Sequence, residues 1–381
     1  MPVSSDVVVV GGGLIGLSIG WRVAAAGLSV TVADPAPCNG SSYAAAGMLA
    51  PATEAHYGEE RLLALNLAAG RRYPSFVEEV ESASGHDVGY RSTGTLAVAF
   101  DSGDRAVLAA HHDFLGRLGL TAQLLGSRET RAEEPLLAPG VRAGLLVAGD
   151  HQVDNRRLCA ALLVAAERAG VTLRRCAATE LVVEAGRATG VRLADGELLA
   201  ADTVVLAAGC WSGRLGGLPA AVVPPVRPVK GQILRLRTPD GAPFLHRIVR
   251  GVVAGTFVYV VPRADGEVVV GGTVEEQGFD TTVRAGAVYE LLRNAGAIVP
   301  ALAELELVEC HAGLRPGSPD NAPLIGRTNL DGLVLATGHY RNGVLLTPVT
   351  ADAVARLLST GEAPELTAPF SPQRFAPAVT S

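Results

Sequence analysis

Val7 to Val10 are four consecutive valines, the unbroken β-branched run that a parallel strand covered on both faces requires. The chain turns at once through glycines into an apolar helical stretch, and "SVTVAD" then supplies a second strand. Farther on, "VVLAAGCWSG" (Val204 to Gly213) is a buried strand running into a glycine turn. "YVVPRADGEVVVGGTVE" (Tyr259 to Glu275) is two alternating strands joined by an Asp-Gly turn. The pattern from about Val226 to Thr273 is rich in hairpins. These runs predict an α/β protein that begins with strand–helix alternation, continues through an α/β middle and holds a hairpin-rich part. No repeat, low-complexity run or linker interrupts it. The proline-rich end from Pro364 is expected to be irregular and laid on the surface.

The first turn carries chemistry. Gly11, Gly13 and Gly16 have G-x-G-x-x-G spacing directly after the valine strand. Gly11 permits the tight turn, Gly13 lets the backbone approach a pyrophosphate, and Gly16 lets the helix pack closely on the strand. The helix N-terminus offers its amides and dipole to phosphate. Asp34 ends the second strand, where a carboxylate takes the ribose hydroxyls of an adenosine. FAD and NAD share this fingerprint. The next segment, "SSYAAAGMLAP" (Ser41 to Pro51), is a run of small residues that allows close backbone approach, with hydroxyls at Ser41 and Ser42 suited to phosphate oxygens.

Composition narrows the partners. The chain has 381 residues, 48% hydrophobic and 18% charged, enough to bury a large core over two intertwined domains. Its net charge of −6 is spread without a basic block, so no nucleic-acid partner is expected. Five cysteines form no C-x-x-C pair and no His stands at metal-ligand spacing, which disfavours disulfides and a metal site and fits a reduced cytoplasm. The apolar stretch Val7 to Ala33 is interrupted by glycines and Arg22 and is preceded by Asp6, so neither a targeting signal nor a membrane span is expected. His111 and His112, adjacent in a helix, are expected as solvated surface residues. Lys230, the only lysine, is expected in solvent at a strand end.

Those motifs, with "GLRPGSPDNAPLIG" (Gly313 to Gly326) and "GLVLATGHYRNGVLLTPVTADAVARLL" (Gly332 to Leu358), recur in an order that resembles the FAD-dependent D-amino-acid oxidase superfamily, most closely the glycine oxidases of thiamine biosynthesis. The likeness covers essentially the whole chain. It implies a Rossmann-like FAD-binding domain (residues 1–50, 140–220 and 310–365) interleaved with a substrate domain on a mixed or antiparallel sheet (51–139 and 221–309), then an irregular tail (366–381). Residue by residue, Leu14 and Ile15 resemble the FAD-contacting pair of the glycine loop, with Asp34 and Pro35 at the adenosine ribose. Asp34 stands where the family pattern has Glu. Ser41, Ser42, Ala46, Gly47 and Met48 resemble the segment along the pyrophosphate to the flavin ring. Leu181 matches a backbone contact to adenine, Gly209 lies in the second FAD contact, and His339, Tyr340, Arg341, Asn342, Gly343, Val344 and Leu345 wrap the isoalloxazine.

The implied reaction is oxidation of a small amino acid by hydride transfer to flavin, with molecular oxygen as acceptor. This chemistry needs positioning and a cation for the carboxylate, with no side-chain base. Arg315 resembles the carboxylate-binding arginine, Tyr259 a tyrosine reaching the same carboxylate, Met48 a pocket residue and Arg341 a second substrate-side arginine. When the shared Pro319-Asp320 is aligned, the cysteine that links FAD in some sarcosine oxidases falls near Gly313 and not on Cys310, so FAD is expected to be non-covalent. Sarcosine oxidase and D-amino-acid oxidase or dehydrogenase stay open as alternatives, as does a non-catalytic dinucleotide-binding protein. The likeness also implies a homo-oligomer, a homotetramer.

Overall fold

As a computed structural model, the structure describes residues 3–253 and 255–375. Two eight-stranded sheets build it, and they meet along one long cavity. In the first sheet, Leu333–Thr337, Leu198–Leu206, Val3–Val10, Val30–Ala33 and Thr172–Arg174 lie side by side and parallel. Leu324–Arg327 closes one edge antiparallel, and the hairpin Ala178–Glu184 with Arg187–Leu193 attaches to Leu198–Leu206. The valine run shows why it has no polar member. Val7 and Val9 face the helical layer while Val8 and Val10 face the opposite core, and all four are buried. Helix Leu14–Ala25 packs between Asn155–Arg168 and Thr347–Thr360 in that layer.

The second sheet runs Glu306–Gly317, Arg227–Arg237, Glu267–Gly271, Thr256–Pro262, Ile248–Val253, Thr95–Ala99, Ala143–Val147 and Gln123–Gly126. Its neighbours are antiparallel except the pair Ile248–Val253 with Thr95–Ala99. Helix Ala285–Ile298 covers one face through Leu291, Ala295 and Ile298. The other face meets the cavity.

Sheet membership shifts the expected segment boundaries. Ala143–Val147 and Glu306–Gly317 pair into the second sheet, whereas helix Glu60–Ser84 buries Leu65, Tyr73, Phe76 and Val80 in the helical layer of the first. Amphipathicity shows that a helix buries one face, not which sheet receives it. The stretch after Pro364 is also more ordered than expected. It forms short 3₁₀ turns, buries Phe370 in the first core and pairs Arg374 with Asp320; residues 376–381 lie outside the described residues. Among the described residues no helix is long and apolar enough to cross a membrane.

Candidate functional site

The cavity holds about 1150 Å³, above the roughly 300–1,000 Å³ of an ordinary ligand pocket. It runs from the carboxyl end of the opening strand to the exposed face of the second sheet.

At the first end the backbone makes the site. Gly11 has φ +107°, and a Cβ there would stand 2.5 Å from the Ala207 carbonyl oxygen. A Cβ on Gly16 would stand 1.8 Å from the Gly11 oxygen, so Gly16 serves the turn and does not line the cavity. Asp34 accepts from the Gly12 amide at 2.6 Å and from the Ala36 amide at 2.8 Å. Its carboxylate is fixed at the cavity wall beside Pro35, with lone pairs to spare for ribose hydroxyls. Ser42 Oγ accepts from the Leu14 amide at 3.1 Å, marking the polar end of helix Leu14–Ala25. Ile15, Ser41, Ala46, Gly47, Met48 and Gly209 line the cavity too.

Leu181 does not. Its side chain is buried in the core of the first sheet and its amide donates to the Gly216 oxygen at 2.7 Å. The backbone that reaches the cavity from this hairpin is Ala177 and Ala178. "AATELVVEAG" alternates without a distinctive residue, so neither register nor bulge can be read from it.

His339 to Leu345 line the middle of the cavity. Gly338 (φ +75°) and Tyr340 (φ +46°) carry the chain through a tight turn. His339 is buried, its Nε2 is 3.0 Å from Thr350 Oγ1, and burial pushes its pKa down to about 3. A neutral histidine tied to the following helix is a support. Arg341 is exposed at the mouth.

At the far end, side chains from separate strands make the site. Tyr259 pairs with Gly271 on one side and Arg250 on the other, so the three share one face. Arg315 donates to the Thr273 oxygen at 2.9 Å and lies over Gly231, where a Cβ would come within 2.3 Å of its Nη1. A Cβ on Gly272 would stand 2.9 Å from the Tyr259 hydroxyl and 3.2 Å from Arg315 Nη2. Gly231 and Gly272 therefore form a floor on which guanidinium and phenol meet. Burial raises the Tyr259 pKa while the Arg315 charge opposes it, and the phenol stays a donor at neutral pH. Met48 packs beside Tyr259.

Sequence reasoning missed four contributors. Arg263, the arginine of "VVPR", is buried and donates to the Ala46 oxygen at 2.8 Å and the Val153 oxygen at 3.0 Å; burial lowers its pKa to about 10. It clamps the Ala46–Gly47 segment. Asn155 donates to the Ser42 oxygen at 2.7 Å and holds the preceding turn. Arg250 lines the cavity beside Thr53. His111, expected in solvent, is partly buried at the cavity with Nε2 3.1 Å from the Ala52 oxygen, whereas His112 is half-exposed. Lys230 corrects another expectation: its Nζ is fully buried, donating to the Thr282 oxygen at 2.6 Å near Glu275 and Asp280. The only available signal was the charge of its partners, which is not local in sequence.

The family described as FAD dependent oxidoreductase matches residues 6–357. The chain belongs to this family. It is thus a flavoenzyme whose cofactor is FAD, and the end of the cavity at the opening strand fits that group: the glycine backbone leaves room for phosphate, the Asp34 carboxylate keeps lone pairs free for hydroxyls, and the cavity holds about 1150 Å³. Among relatives, the bifunctional protein ThiO/ThiG of Synechocystis is 36% identical over 98% of this chain, which spans about half of that protein (55%). Glycine oxidase of Geobacillus kaustophilus is 35% identical, with 96% of each chain covered. Its crystal structure superposes with a TM-score of 0.90 over 98% of this chain and 99% of the other, at 33% identity. Iminodiacetate oxidase from Chelativorans superposes with a TM-score of 0.87 at 29% identity, over 96% of this chain and 98% of the other.

Proposed function

We propose that this flavoenzyme oxidises glycine and small N-methyl or D-amino acids: glycine, oxygen and water give glyoxylate, ammonia and hydrogen peroxide. The observation that carries the reading is the meeting of Arg315 and Tyr259 over a glycine floor at the end of a dinucleotide cavity. The relatives' named substrates, glycine and iminodiacetate, share a carboxylate beside an amine. The ThiO/ThiG relatives support a role in supplying the thiazole of thiamine.

FAD, when bound, supplies a hydride acceptor. The chain's own residues do the rest by placement. Arg315 takes the substrate carboxylate through Nη2, which meets the Tyr259 hydroxyl above Gly272, while Nη1 is anchored on Thr273. The Tyr259 hydroxyl donates to the same carboxylate. With the carboxylate fixed, the α-carbon is turned toward the Gly47–Met48 wall and the Val344–Leu345 backbone. Neither Arg315 nor Tyr259 serves as a base at neutral pH, and none is needed if the amine binds uncharged. The first sheet with its helices is assigned to FAD and the open face of the second to substrate.

Non-covalent attachment is supported by register. Arg315, Gly313 and His311 alternate onto the cavity face of their strand, which turns Cys310 to the other face, against the core under helix Ala285–Ile298. The position facing the cavity is Gly313, with no thiol.

The test is peroxide release in air from glycine, sarcosine and D-alanine, with acid precipitation to release the flavin. Turnover of D-valine or D-phenylalanine far above glycine would overturn the substrate reading, and flavin retained in the pellet would overturn the attachment.

A further inference from the structure

The cavity continues past Tyr259, and a second cation waits there. Arg250 lies directly opposite Tyr259 in the strand pair, on the same face. Its side chain is only 10% exposed. Nη1 donates to Thr53 Oγ1 at 3.0 Å and approaches Glu54 at 3.5 Å, while Nε and Nη2 have no hydrogen-bond partner among the described residues. The Phe257 ring, 4.3 Å from the guanidinium carbon, holds its plane. Burial works against this charge, drawing its pKa down in spite of Glu54. Glu54 supplies an anion on the Nη1 side only, and a buried guanidinium whose Nε and Nη2 stay open is still costly until a further acceptor completes it. Glycine has only one carboxylate, and Arg315 is placed to take it.

We infer that Arg250 forms a second carboxylate subsite, so that the enzyme accepts amino acids bearing two carboxylates, one on Arg315 and one on Arg250, with Tyr259 between them. This rests on the proposed amino-acid oxidation. Thr53, Glu54 and Phe257 hold the guanidinium, and Ala97, Val98 and Val252 leave room for a short methylene spacer. The second carboxylate hangs from either the amine or the α-carbon. For the amine-linked case, iminodiacetate, oxygen and water give glycine, glyoxylate and hydrogen peroxide: the glycyl arm on Arg315 loses its α-hydride, oxygen is reduced, and water cleaves the resulting C=N bond.

The experiment compares matched pairs on the holoenzyme: iminodiacetate against sarcosine, and D-aspartate against D-alanine. At least one dicarboxylate is expected to equal or exceed its counterpart in kcat/KM, and which one does locates the spacer. In Arg250→Met that ratio falls about 30-fold or more, the size expected when a desolvated charge pair loses one member. A ratio unchanged by Arg250→Met, or both dicarboxylates below about a tenth of their counterparts while sarcosine is oxidised, overturns the subsite. If none of the monocarboxylates is oxidised, the functional reading has failed, and binding decides the subsite alone. Glutarate and valerate, alike in chain length but not in charge, are titrated into wild-type holoenzyme and read by flavin absorbance. Glutarate tighter by about tenfold or more supports the second carboxylate site; equal affinity overturns it. The same titration decides if Arg250→Met fails to fold.

Discussion

The two ends of the cavity are built from different materials. At the dinucleotide end the contacts are main-chain: Gly11, Gly13 and Gly47 remove side chains, the helix Leu14–Ala25 offers amides, and Asp34 is held by two backbone amides. At the end we assign to substrate the wall is made of long side chains, Arg315, Tyr259 and Arg250, from three different strands. A backbone site binds whatever presents phosphate and ribose, and tolerates almost no added atom. A side-chain site has chemical selectivity and can be edited without collapsing the fold. Substitutions at the two ends should therefore fail differently, one in flavin content and stability, the other in turnover.

Arg315→Ala is expected to show the largest effect. It removes the partner of a desolvated carboxylate and should cost on the order of 2–5 kcal/mol in kcat/KM for glycine. Flavin content should stay near wild type, because the group leans on Thr273 and the Gly231 floor, away from the dinucleotide end. Loss of flavin in parallel with activity would break the division between the two ends.

The same division explains what could be read from sequence. Val7–Val10, the three glycines and Asp34 lie within one stretch of chain, and steric rules for glycine and a buried strand act over that distance, so the dinucleotide end was legible. Arg315, Tyr259 and Met48 entered by resemblance. What brings Arg315 to Tyr259 is the strand order of the second sheet, through the remote pair Val229 with Arg315, while Met48 reaches them from a separate strand paired with Gln152. Arg250 carried no local mark, because a charged residue in "RIVRGVV" alternates like any exposed strand position. Arg263 and Lys230 carry no local mark either, because their partners at Ala46 and Asp280 are remote in sequence.

Asp150 gives the substrate end a pH signature. Its carboxylate accepts from the Ala52 and Thr53 amides and the Thr53 hydroxyl, fixing the loop against which Arg250 rests. Burial raises its pKa to about 6, more than these hydrogen bonds and the Arg250 charge can offset. The folded protein thus keeps a proton that the unfolded chain has released. Stability contributed by this group falls as pH rises from about 4 to about 6, by about 3 kcal/mol for a shift of roughly two units. The urea midpoint of wild type should fall relative to that of Asp150→Asn as pH rises across that window. A constant difference would show that Asp150 does not titrate there.

Gly47→Ala probes the backbone end. Gly47 has φ +70°, and its Cβ would stand 2.0 Å from the Val153 oxygen, inside the clamp made by Arg263. The variant should lose about 1–3 kcal/mol of stability with a drop in bound flavin. Gly13→Ala is its control for stability alone, since Gly13 also stands where phosphate must approach: φ is −77°, and the new methyl would meet only Ser42 Oγ at 3.1 Å, so the loss of stability should be smaller. Equal losses of apoprotein melting temperature would mean the conformational requirement at Gly47 is not what limits stability at that end.

Arg341 stands at the junction of the two ends, and its variant carries the smallest expected effect. It belongs to the turn that wraps the middle of the cavity, yet its guanidinium is exposed at the mouth, stacked 5.2 Å from the Tyr340 ring. Its charge also helps burial hold the His56 pKa below the usual value. An exposed cation is screened by water and salt, so its pull on an incoming carboxylate is weak compared with that of Arg315. Arg341→Ala should therefore cost about 1 kcal/mol in kcat/KM, expressed in KM more than in kcat, and the difference from wild type should shrink as ionic strength rises. Flavin content should not change, since the turn's backbone is held by Gly338 and by His339 on Thr350. A cost independent of salt would place Arg341 in direct, desolvated contact with substrate, on equal terms with Arg315. Wild-type kinetics with flavin intact would instead assign the turn wholly to the dinucleotide end and leave the substrate end to the strands of the second sheet.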